Sequence, residues 1–269
     1  IFSNLLGSGY EVFGINRSLP KSFHHWNWIE KYGNEIKKCW YKINIHKNPT
    51  SLIEKINYLQ PTHIIDFMGQ GMVAQSWDNP MLWYETNIAR KSYILEAIKE
   101  LKSLEKYIRA STPEVYGSNR LKQKEDAHFN PSTPYAISHC AIDYHLRCLG
   151  KNYNFPYIIA RFSNFYGEGQ QLYRVIPKSI LSIYNGRTFT IDGDGHSLRS
   201  FIHSDDICSA FKSLLLNSDP KKEYNFSSPE EISIVELVRK ICHFTNTNFD
   251  KIVKFGPERK GKDLIYRMD

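Results

Sequence analysis

The chain of 269 residues lacks the features that mark several large classes of protein. Its apolar runs stay far short of the ~20 residues that a transmembrane helix needs, so no membrane-spanning role is expected. Its five cysteines include no CxxC pair, which argues against disulfides and zinc and favours a cytoplasmic location. The first residues carry no basic segment or cleavage site of a secretory signal. HExxH and GxSxG are also absent, so we predict neither a metal site nor a hydrolase triad.

Charge of both signs is present, with 35 Lys and Arg against 28 Asp and Glu, for a net charge of +7. The basic residues are spread along the chain and never form a long run. This pattern favours anionic small molecules over nucleic acid as partners. Hydrophobic residues at 41% and aromatic residues at 14% exclude a disordered chain.

Apolar runs of strand length alternate with longer helical patterns through the first half of the chain. This alternation predicts an α/β fold with a doubly wound parallel sheet of the Rossmann type. The predicted strands are 10–15, 63–68, 106–110 and 157–162, and the predicted helices are 49–58, 80–101 and 134–151.

The sequence pattern changes after about Asn164, where short apolar runs and glycine pairs indicate a smaller region of mixed helices and strands. We therefore predict a dinucleotide-binding domain at 1–165 and a mainly substrate-binding region at 166–269 that partly returns to the first. A sheet of this kind normally opens with a strand and a GxGxxG loop. Neither is present here, because the chain opens on the end of a helix. The sequence thus predicts a chain that is shortened at both ends.

The strongest chemical signal is a pair of motifs, STPEVYG at 111–117 and PYAISH at 134–139. Pro134 is suited to the first position of a helix, which places Tyr135 and His139 on one helix face. Ser111, Thr112 and Glu114 follow a predicted parallel strand, at the edge where such sheets bind ligands. A phenol, a hydroxyl and a carboxylate that converge there can move protons at a sugar carbon.

These motifs resemble the extended short-chain dehydrogenase/reductase family, and within it the nucleotide-sugar 4,6-dehydratases and epimerases. The family patterns read approximately STDEVYG and PYxxSK. Further segments agree in the same order along the chain, namely RFSNFYG at 161–167, GDGHSLRSFIHSDDI at 193–207 and ERKGKD at 258–263. The resemblance therefore covers essentially the whole chain.

The resemblance implies an internal redox cycle on a nucleotide-diphosphate sugar. In the family, a nicotinamide cofactor takes hydride from C4, a base removes the C5 proton, water leaves from C6 and the hydride returns to C6. By this resemblance Tyr135 is the base at the C4 hydroxyl, Thr112 hydrogen-bonds the C4 oxygen, and Glu114 is the base at C5. We expect an NAD(P)-dependent lyase.

Two positions depart from the family pattern. Pro113 stands where the dehydratases carry an Asp that protonates the leaving hydroxyl, so Glu114 is expected to shuttle that proton. His139 stands where the family has a Lys that holds the nicotinamide ribose and lowers the pKa of the tyrosine. An ordinary imidazole titrates near pH ~6.5, so His139 is expected to bind the ribose while it is mostly neutral.

The cofactor prediction also rests on the resemblance. Asn16 and Arg17 follow the first predicted strand, where an acid favours NAD and an Arg accommodates a 2′-phosphate, so NADP is slightly favoured over NAD. Glycines at 69 and 71 suit a close backbone approach to the cofactor. The predicted cofactor-binding residues are Asn16, Arg17, Asn44, Ile45, Gly69, Gln70, Gly71 and His139.

Arginine suits a diphosphate because its planar guanidinium matches phosphate oxygens. The resemblance assigns substrate binding to Asn164, Arg174, Arg199 and Arg259. It also implies a homodimer through the helices near 80–101 and 134–151. Two alternatives stay open: an epimerase or decarboxylase of the same family, and a catalytically degenerate protein that only binds sugar nucleotides.

Overall fold

The computed structural model describes residues 1–19, 27–258, 261 and 265–269, except for the side chains of 27–30. The α-helices are α1 (Phe2–Gly7), α2 (Asn27–Cys39), α3 (Pro49–Leu59), α4 (Pro80–Trp83), α5 (Lys91–Ile98), α6 (Pro134–Tyr153), α7 (Val175–Tyr184), α8 (Ser204–Asn217), α9 (Ile234–Phe244) and α10 (Phe249–Ile252). The β-strands are β1 (Gly14–Asn16), β2 (Trp40–Lys42), β3 (His63–Asp66), β4 (Lys106–Ser111), β5 (Tyr157–Phe162), β6 (Asn164–Tyr166), β7 (Phe189–Asp192), β8 (Leu198–His203), β9 (Lys222–Phe226), β10 (Glu231–Ser233) and β11 (Val253–Gly256).

The main sheet has the strand order β3-β4-β5-β9, and all of its pairings are parallel. Every residue of β5 is buried, which explains why its sequence YIIARF is nearly continuous in apolar residues. Successive side chains of a strand point to opposite faces, so Tyr107 and Ile108 of β4 enter two different apolar clusters. The predicted α/β fold with a parallel sheet is confirmed.

The two apolar clusters cover the two faces of this sheet. One contains residues of α3, α5 and α6, and the other is built mainly from α8. A second, two-stranded parallel sheet, β1-β2, contributes Ile15 to the first cluster. Val12, which precedes β1, packs against the second cluster. Both sheets therefore share the same covering layers, although none of the described strands pairs with β1 except β2.

The segment predicted as one helix over 80–101 is continuous but changes its winding. After α4 it forms a π-helical turn over Tyr84–Arg90, continues as α5 and ends at Ile98. Such π-turns often occur at functional sites. Here the turn contains the buried Asn87, which contacts the segment that follows β3.

The remaining strands form two small sheets, β10-β8-β6 and β11-β7, with an apolar cluster between α9, α10 and β7. Residues 265–269 lie parallel to 119–123, where Asn119 N donates to Ile265 O at 3.1 Å and Gln123 N donates to Arg267 O at 3.0 Å. The domain boundary at residue 165 stays a prediction. Among the described residues, no helix is both long and apolar enough to cross a membrane.

Candidate active site

The motif at 111–117 forms a tight turn at the carboxyl end of β4. Thr112 is the N-cap of a 3₁₀ turn over Pro113–Tyr116, and its Oγ1 accepts a hydrogen bond from Glu114 N at 3.3 Å. Gly117 closes the turn with a φ of 68°, and a Cβ there would lie 2.1 Å from the carbonyl oxygen of Asn130. Only glycine fits both conditions, so the turn holds Glu114 in one place at the edge of the sheet.

The start of α6 is fixed against the same edge. Thr133 caps the helix through a hydrogen bond from Ala136 N to its Oγ1 at 3.1 Å, and Pro134 occupies the first turn. The amide of Tyr135 lies in the first turn and has no partner inside the helix. It donates instead to Ser76 Oγ at 3.2 Å. This contact ties Tyr135 to the segment that follows β3.

Tyr135 lies within hydrogen-bonding reach of Thr112 and close to the carboxylate of Glu114. Because Thr112 Oγ1 already accepts from the Glu114 amide, its own hydroxyl proton is available for the phenol oxygen. Burial, and then the Glu114 charge, raise the pKa of Tyr135, whereas the Thr112 hydrogen bond and the cations of Arg174 and Arg109 lower it. The overall pKa is raised, so the phenol is protonated at neutral pH in this arrangement.

His139 lies one helical turn after Tyr135, and the two ring centroids are 4.5 Å apart. The imidazole is buried, and its Nδ1 lies 3.1 Å from Nη2 of Arg109. Burial first, and then the cations of Arg109 and Lys91, lower the pKa of His139 well below its ordinary value. The imidazole is therefore neutral at pH 7. The structure thus brings all four predicted catalytic residues together.

A buried network of charges supports these residues from the sheet. Asp143 of α6 accepts hydrogen bonds from Arg109 Nε at 2.9 Å, Ser111 Oγ at 2.9 Å and Arg161 Nη2 at 3.0 Å. Its carboxylate is fully buried, as is the guanidinium of Arg161. Asp143 therefore joins β4 and β5 to the helix that carries Tyr135.

A second carboxylate continues the network toward β3. Asp66 Oδ2 accepts from Lys91 Nζ at 2.7 Å and from the Tyr107 hydroxyl at 2.6 Å, and it lies 3.8 Å from Arg109 Nη1. Burial lowers the pKa of Lys91 to about 8 against the opposing effect of Asp66. Although burial opposes it, the cations of Lys91 and Arg109 lower the pKa of Asp66.

Sequence reasoning missed Asp66, Lys91, Arg109 and Asp143 as parts of the site. The available signal was charge inside apolar elements, as in the strands HIID and KYIRAS. A charged residue is almost never fully buried unless it is paired. A charged residue in a predicted central strand therefore indicates a buried partner of opposite charge, although the sequence does not show which residue that partner is.

The glycine segment after β3 is closed by Asn87. Gln70 N donates to Asn87 Oδ1 at 2.6 Å, and Asn87 Nδ2 donates to Gln70 O at 3.1 Å and to Ser138 Oγ at 3.0 Å. A Cβ at Gly69 would lie 3.3 Å from Asn87 Oδ1, whereas one at Gly71 would meet nothing within 4 Å. Only Gly69 therefore packs closely against the protein. The space beside Gly71 is open, which leaves room for another group to approach the backbone there.

The other predicted cofactor residues lie at the ends of β1 and β2. Asn16 Oδ1 accepts from Arg17 N at 2.7 Å, and Asn44 Oδ1 accepts from His46 N at 3.1 Å. Arg17 is exposed, whereas Ile45 packs against the core cluster under α3. Both amide side chains thus shape their own turns, and Arg17 is an exposed cation at this edge, as is Lys42 at the end of β2.

The predicted substrate residues fall into two groups. Arg174 is the exposed N-cap residue of α7, and its positive charge lowers the pKa of Tyr135. Asn164 and Arg199 are joined by Tyr266, whose hydroxyl donates to Asn164 Oδ1 at 2.5 Å while the Arg199 guanidinium stacks 4.5 Å from its ring centroid. Sequence reasoning missed Tyr266. The predicted Arg259 lies outside the described residues.

Gly261 belongs to the same C-terminal motif as Arg259 and is tightly packed. Its φ is 65°, and a Cβ there would lie 2.3 Å from Trp77 Nε1 and 3.1 Å from the Thr133 methyl group. Trp77 follows the glycine segment, and Thr133 caps α6. Gly261 therefore packs against both elements that carry the candidate site. Among the described residues, no three His, Cys, Asp or Glu side chains cluster in a way that could hold a metal ion.

Comparison with known proteins identifies the family of the chain. The family model described as GDP-mannose 4,6 dehydratase matches residues 1–264. The chain belongs to this family. The resemblance to the extended short-chain nucleotide-sugar dehydratases and epimerases is thereby confirmed.

Curated relatives of the family match most of the chain. A dTDP-D-glucose 4,6-dehydratase of Dictyostelium discoideum is 32% identical over 224 residues, which are 78% of this chain and 51% of the relative. A trifunctional UDP-glucose 4,6-dehydratase, epimerase and reductase of Arabidopsis thaliana is 29% identical over 222 residues, which are 80% of this chain and 33% of the relative. The chain thus spans about half of the first relative's length and about a third of the second's.

Solved structures of dTDP-glucose 4,6-dehydratases share the fold. The Streptomyces venezuelae enzyme, with NAD bound, is 25% identical and has a TM-score of 0.79 over 86% of this chain and 70% of that one. The Bacillus anthracis enzyme, in complex with NAD, is 25% identical and has a TM-score of 0.83 over 100% of this chain and 83% of that one. These neighbours support a nicotinamide cofactor. They lend no support to the predicted preference for NADP.

Epimerases share the fold as well. The UDP-glucuronic acid 4-epimerase of Bacillus cereus has a TM-score of 0.87 at 22% identity and covers 99% of this chain and 84% of that one. At this identity the likeness concerns the fold alone. The choice between dehydration and epimerisation therefore rests on the side chains of the site.

Proposed function

We propose that the protein is a nucleotide-sugar 4,6-dehydratase. The observation that carries this proposal is the convergence of Tyr135, Thr112 and Glu114 at the carboxyl end of β4. A phenol and a hydroxyl suffice to handle the proton of a sugar hydroxyl. The added carboxylate gives a second base, which a reaction at C5 requires.

The cofactor we propose is a nicotinamide dinucleotide, held by His139, Tyr135 and the backbone at 69–71, with Asn16, Arg17, Asn44 and Ile45 at its adenosine end. When bound, a nicotinamide supplies a reversible hydride acceptor. The proposed preference for NADP over NAD rests on Arg17, with Asn16 in the place of an acidic residue. Measured dissociation constants for both dinucleotides, in the native protein and in Arg17→Ala, test it, because the substitution should weaken NADP binding selectively.

The protein groups then handle protons. Tyr135 takes the proton of the C4 hydroxyl, and Thr112 donates a hydrogen bond to the C4 oxygen. Once C4 is a ketone, the C5–H bond is acidic and Glu114 removes its proton. Glu114 passes that proton to the C6 hydroxyl, which leaves as water, since Pro113 has no acidic group to offer. A proton returned to C5, together with the hydride equivalent removed from C4 and delivered to C6, completes the 4-keto-6-deoxy sugar, so a bound nicotinamide would undergo no net change of oxidation state.

The diphosphate is proposed to lie against the cations of the C-terminal region. Arg174 stands at the N-terminus of α7, and Arg199 is held beside Asn164 by the ring of Tyr266. With Arg259, these residues supply the planar guanidinium groups that suit phosphate oxygens. The proposed substrate class is therefore a nucleoside-diphosphate sugar.

A homodimer is proposed through α4, α5 and α6. These helices expose Met81, Tyr93, Ile137 and Tyr144, each at 42% or more of its surface. Exposed apolar side chains on adjacent helices are typical of an interface. Sedimentation of the native protein and of a Tyr93→Glu variant tests this, because the charged variant should shift the protein toward the monomer.

A binding protein without turnover is the second candidate. The raised pKa of Tyr135 and the neutral His139 favour it, because a phenol that stays protonated is a weak base. Incubation of the native protein with NAD and a panel of nucleotide sugars, followed by mass spectrometry, separates the candidates. A dehydratase product has lost water, a decarboxylase product has lost carbon dioxide and an epimerase product keeps its mass. Retention of an unchanged sugar nucleotide by the protein would favour the binding protein over the enzyme.

A further inference from the structure

The contact between Arg109 and His139 leaves the imidazole only one arrangement of its protons. A guanidinium carries N–H donors and no acceptor. Since Arg109 Nη2 lies 3.1 Å from His139 Nδ1, Nδ1 must accept this hydrogen bond and cannot carry a proton. The single proton of the neutral ring is therefore on Nε2. His139 consequently offers a hydrogen-bond donor from Nε2 and carries no charge.

The positive charge lies deeper in the core, on buried side chains of the sheet and of α5. Lys91, Arg109 and Arg161 are each 1% exposed or less, and they share the two buried carboxylates of Asp66 and Asp143. Three cations thus face two anions, which leaves one positive charge uncancelled. Glu223 also contacts Arg161, but Glu223 forms an ion pair with Arg147 as well. The pair of Glu223 and Arg147 therefore adds no net charge to the network.

We propose that Arg109 is a positioning residue for the chemistry of Tyr135, because it locks His139 as a neutral Nε2–H donor and supplies the permanent positive charge that His139 lacks. This inference rests on the proposed function. The arrangement separates two tasks between two residues. His139 contributes a hydrogen bond at the surface of the site, and Arg109 contributes charge from within the core.

Several other groups face Tyr135 and act with or against Arg109. Glu114, from the turn after β4, opposes ionisation of the phenol, whereas Thr112 from the same turn and Arg174 from the start of α7 favour it. On α6 itself, His139 is neutral and contacts the ring of Tyr135. Arg109 is the cation whose position is fixed by the core, since Asp143 and Asp66 hold it from two sides.

The first test compares pH profiles of kcat/KM for Arg109→Gln, Arg109→Lys and the native protein. Tyr135 acts as a base, so the rising limb of the profile reports its ionisation, and this limb lies on the alkaline side of neutrality because burial raises the pKa of the phenol. Loss of a nearby cation should move that limb upward by about one pH unit in Arg109→Gln. Arg109→Lys keeps the charge and should stay near the native profile. Arg161→Gln is the matched control, because it removes a buried cation from the same Asp143 without touching His139, and its limb should move less than that of Arg109→Gln.

The second test needs no variant of Arg109. Nitrogen NMR of the ¹⁵N-labelled native protein, with His139 assigned from the spectrum of His139→Gln, should show a protonated Nε2 and a bare Nδ1 at neutral pH and through the range in which an ordinary histidine titrates. A proton on Nδ1, or titration of His139 near its ordinary pKa, would overturn the inference. In the first test, an equal displacement of the kcat/KM pH profile in Arg109→Gln and Arg161→Gln would also overturn it.

Failure of the proposed function gives a different result. In that case no nucleotide sugar is turned over by any variant, while the imidazole spectrum still reports the proton arrangement. Ultraviolet difference titration against Tyr135→Phe then follows the phenol without turnover. The inference predicts a higher Tyr135 pKa in Arg109→Gln than in the native protein, and an unchanged value would contradict it.

Discussion

The ion network around Asp143 makes a strong prediction about stability. Asp143 accepts from Arg109, Ser111 and Arg161, and its side chain is fully buried. Asp143→Asn keeps the shape of the side chain but removes its charge and replaces one acceptor with a donor. Both arginines then lose their shared buried counter-ion. Breaking a buried pair in this way costs about 3–5 kcal/mol.

That cost is a large part of the 5–15 kcal/mol by which a folded domain is typically stable. At roughly 2–4 °C per kcal/mol for a domain of about this size, we expect the Tm of Asp143→Asn to fall by about 6–20 °C. Differential scanning calorimetry at neutral pH measures it. Circular dichroism at low temperature confirms that the variant is folded before it is heated.

The matched control is Glu85→Gln. Glu85 forms an ion pair with Arg90 at 2.8 Å, but the two side chains are 42% and 38% exposed. An exposed pair contributes about 1 kcal/mol or less, so the Tm should change by no more than about 4 °C. If Asp143→Asn melts as close to the native protein as Glu85→Gln does, the network does not support the fold as described here.

Three further predictions follow from the same contacts. Glu114→Gln should lower kcat by about 10²–10⁴-fold while the Kd for the sugar nucleotide changes little, because only proton transfer is lost. Initial rates measure kcat and calorimetric titration measures Kd. Turnover close to that of the native protein would exclude Glu114 from the mechanism. His139 has a folded-state pKa well below 6.5, so the unfolded chain binds its proton first as the pH falls. Below pH 6.5 the unfolding free energy should therefore fall by about 1.4 kcal/mol per pH unit because of this residue. Urea unfolding at pH 6.5 and at about pH 5 should show a smaller fall in His139→Gln than in the native protein. An equal fall in both proteins would contradict this. Asn87→Ala removes two hydrogen bonds to Gln70 and one to Ser138 and should lower the unfolding free energy by about 1–3 kcal/mol. Ser138→Ala removes only the last of these, together with the bond from Ser138 Oγ to Tyr135 O within the helix, and should cost less. Equal losses would contradict a stabilising role for the two bonds to Gln70.

Local patterns in the sequence predicted the elements that carry the site. The strands at 63–68, 106–110 and 157–162 appear as β3, β4 and β5 with small changes at their ends. They were predictable because a sheet covered on both faces needs near-continuous apolar strands. The turn at 111–117 and the start of α6 at Pro134 were predictable because glycine, proline and threonine have strong local preferences.

The partners across the fold were not predictable in this way. Arg109 and His139 are 30 residues apart, and Gln70 and Asn87 are 17 apart. Such contacts depend on how strands and helices pack, and periodicity carries no information about them. The strand predicted over 10–15 is likewise confined to Gly14–Asn16. A strand forms only where a neighbour is present, and β2 pairs with these three residues alone.

The most direct test of the proposed dehydration is the reaction run in deuterium oxide with the native protein, NAD and a nucleoside-diphosphate glucose. If Tyr135 and Glu114 act as proposed, the product has lost one water and carries one solvent-derived deuterium at C5, which proton NMR and mass spectrometry detect together. Glu114→Gln should form little of this product. A product without deuterium at C5, or a sugar nucleotide of unchanged mass, would contradict the assignment of Glu114 as the C5 base and the dehydratase function with it.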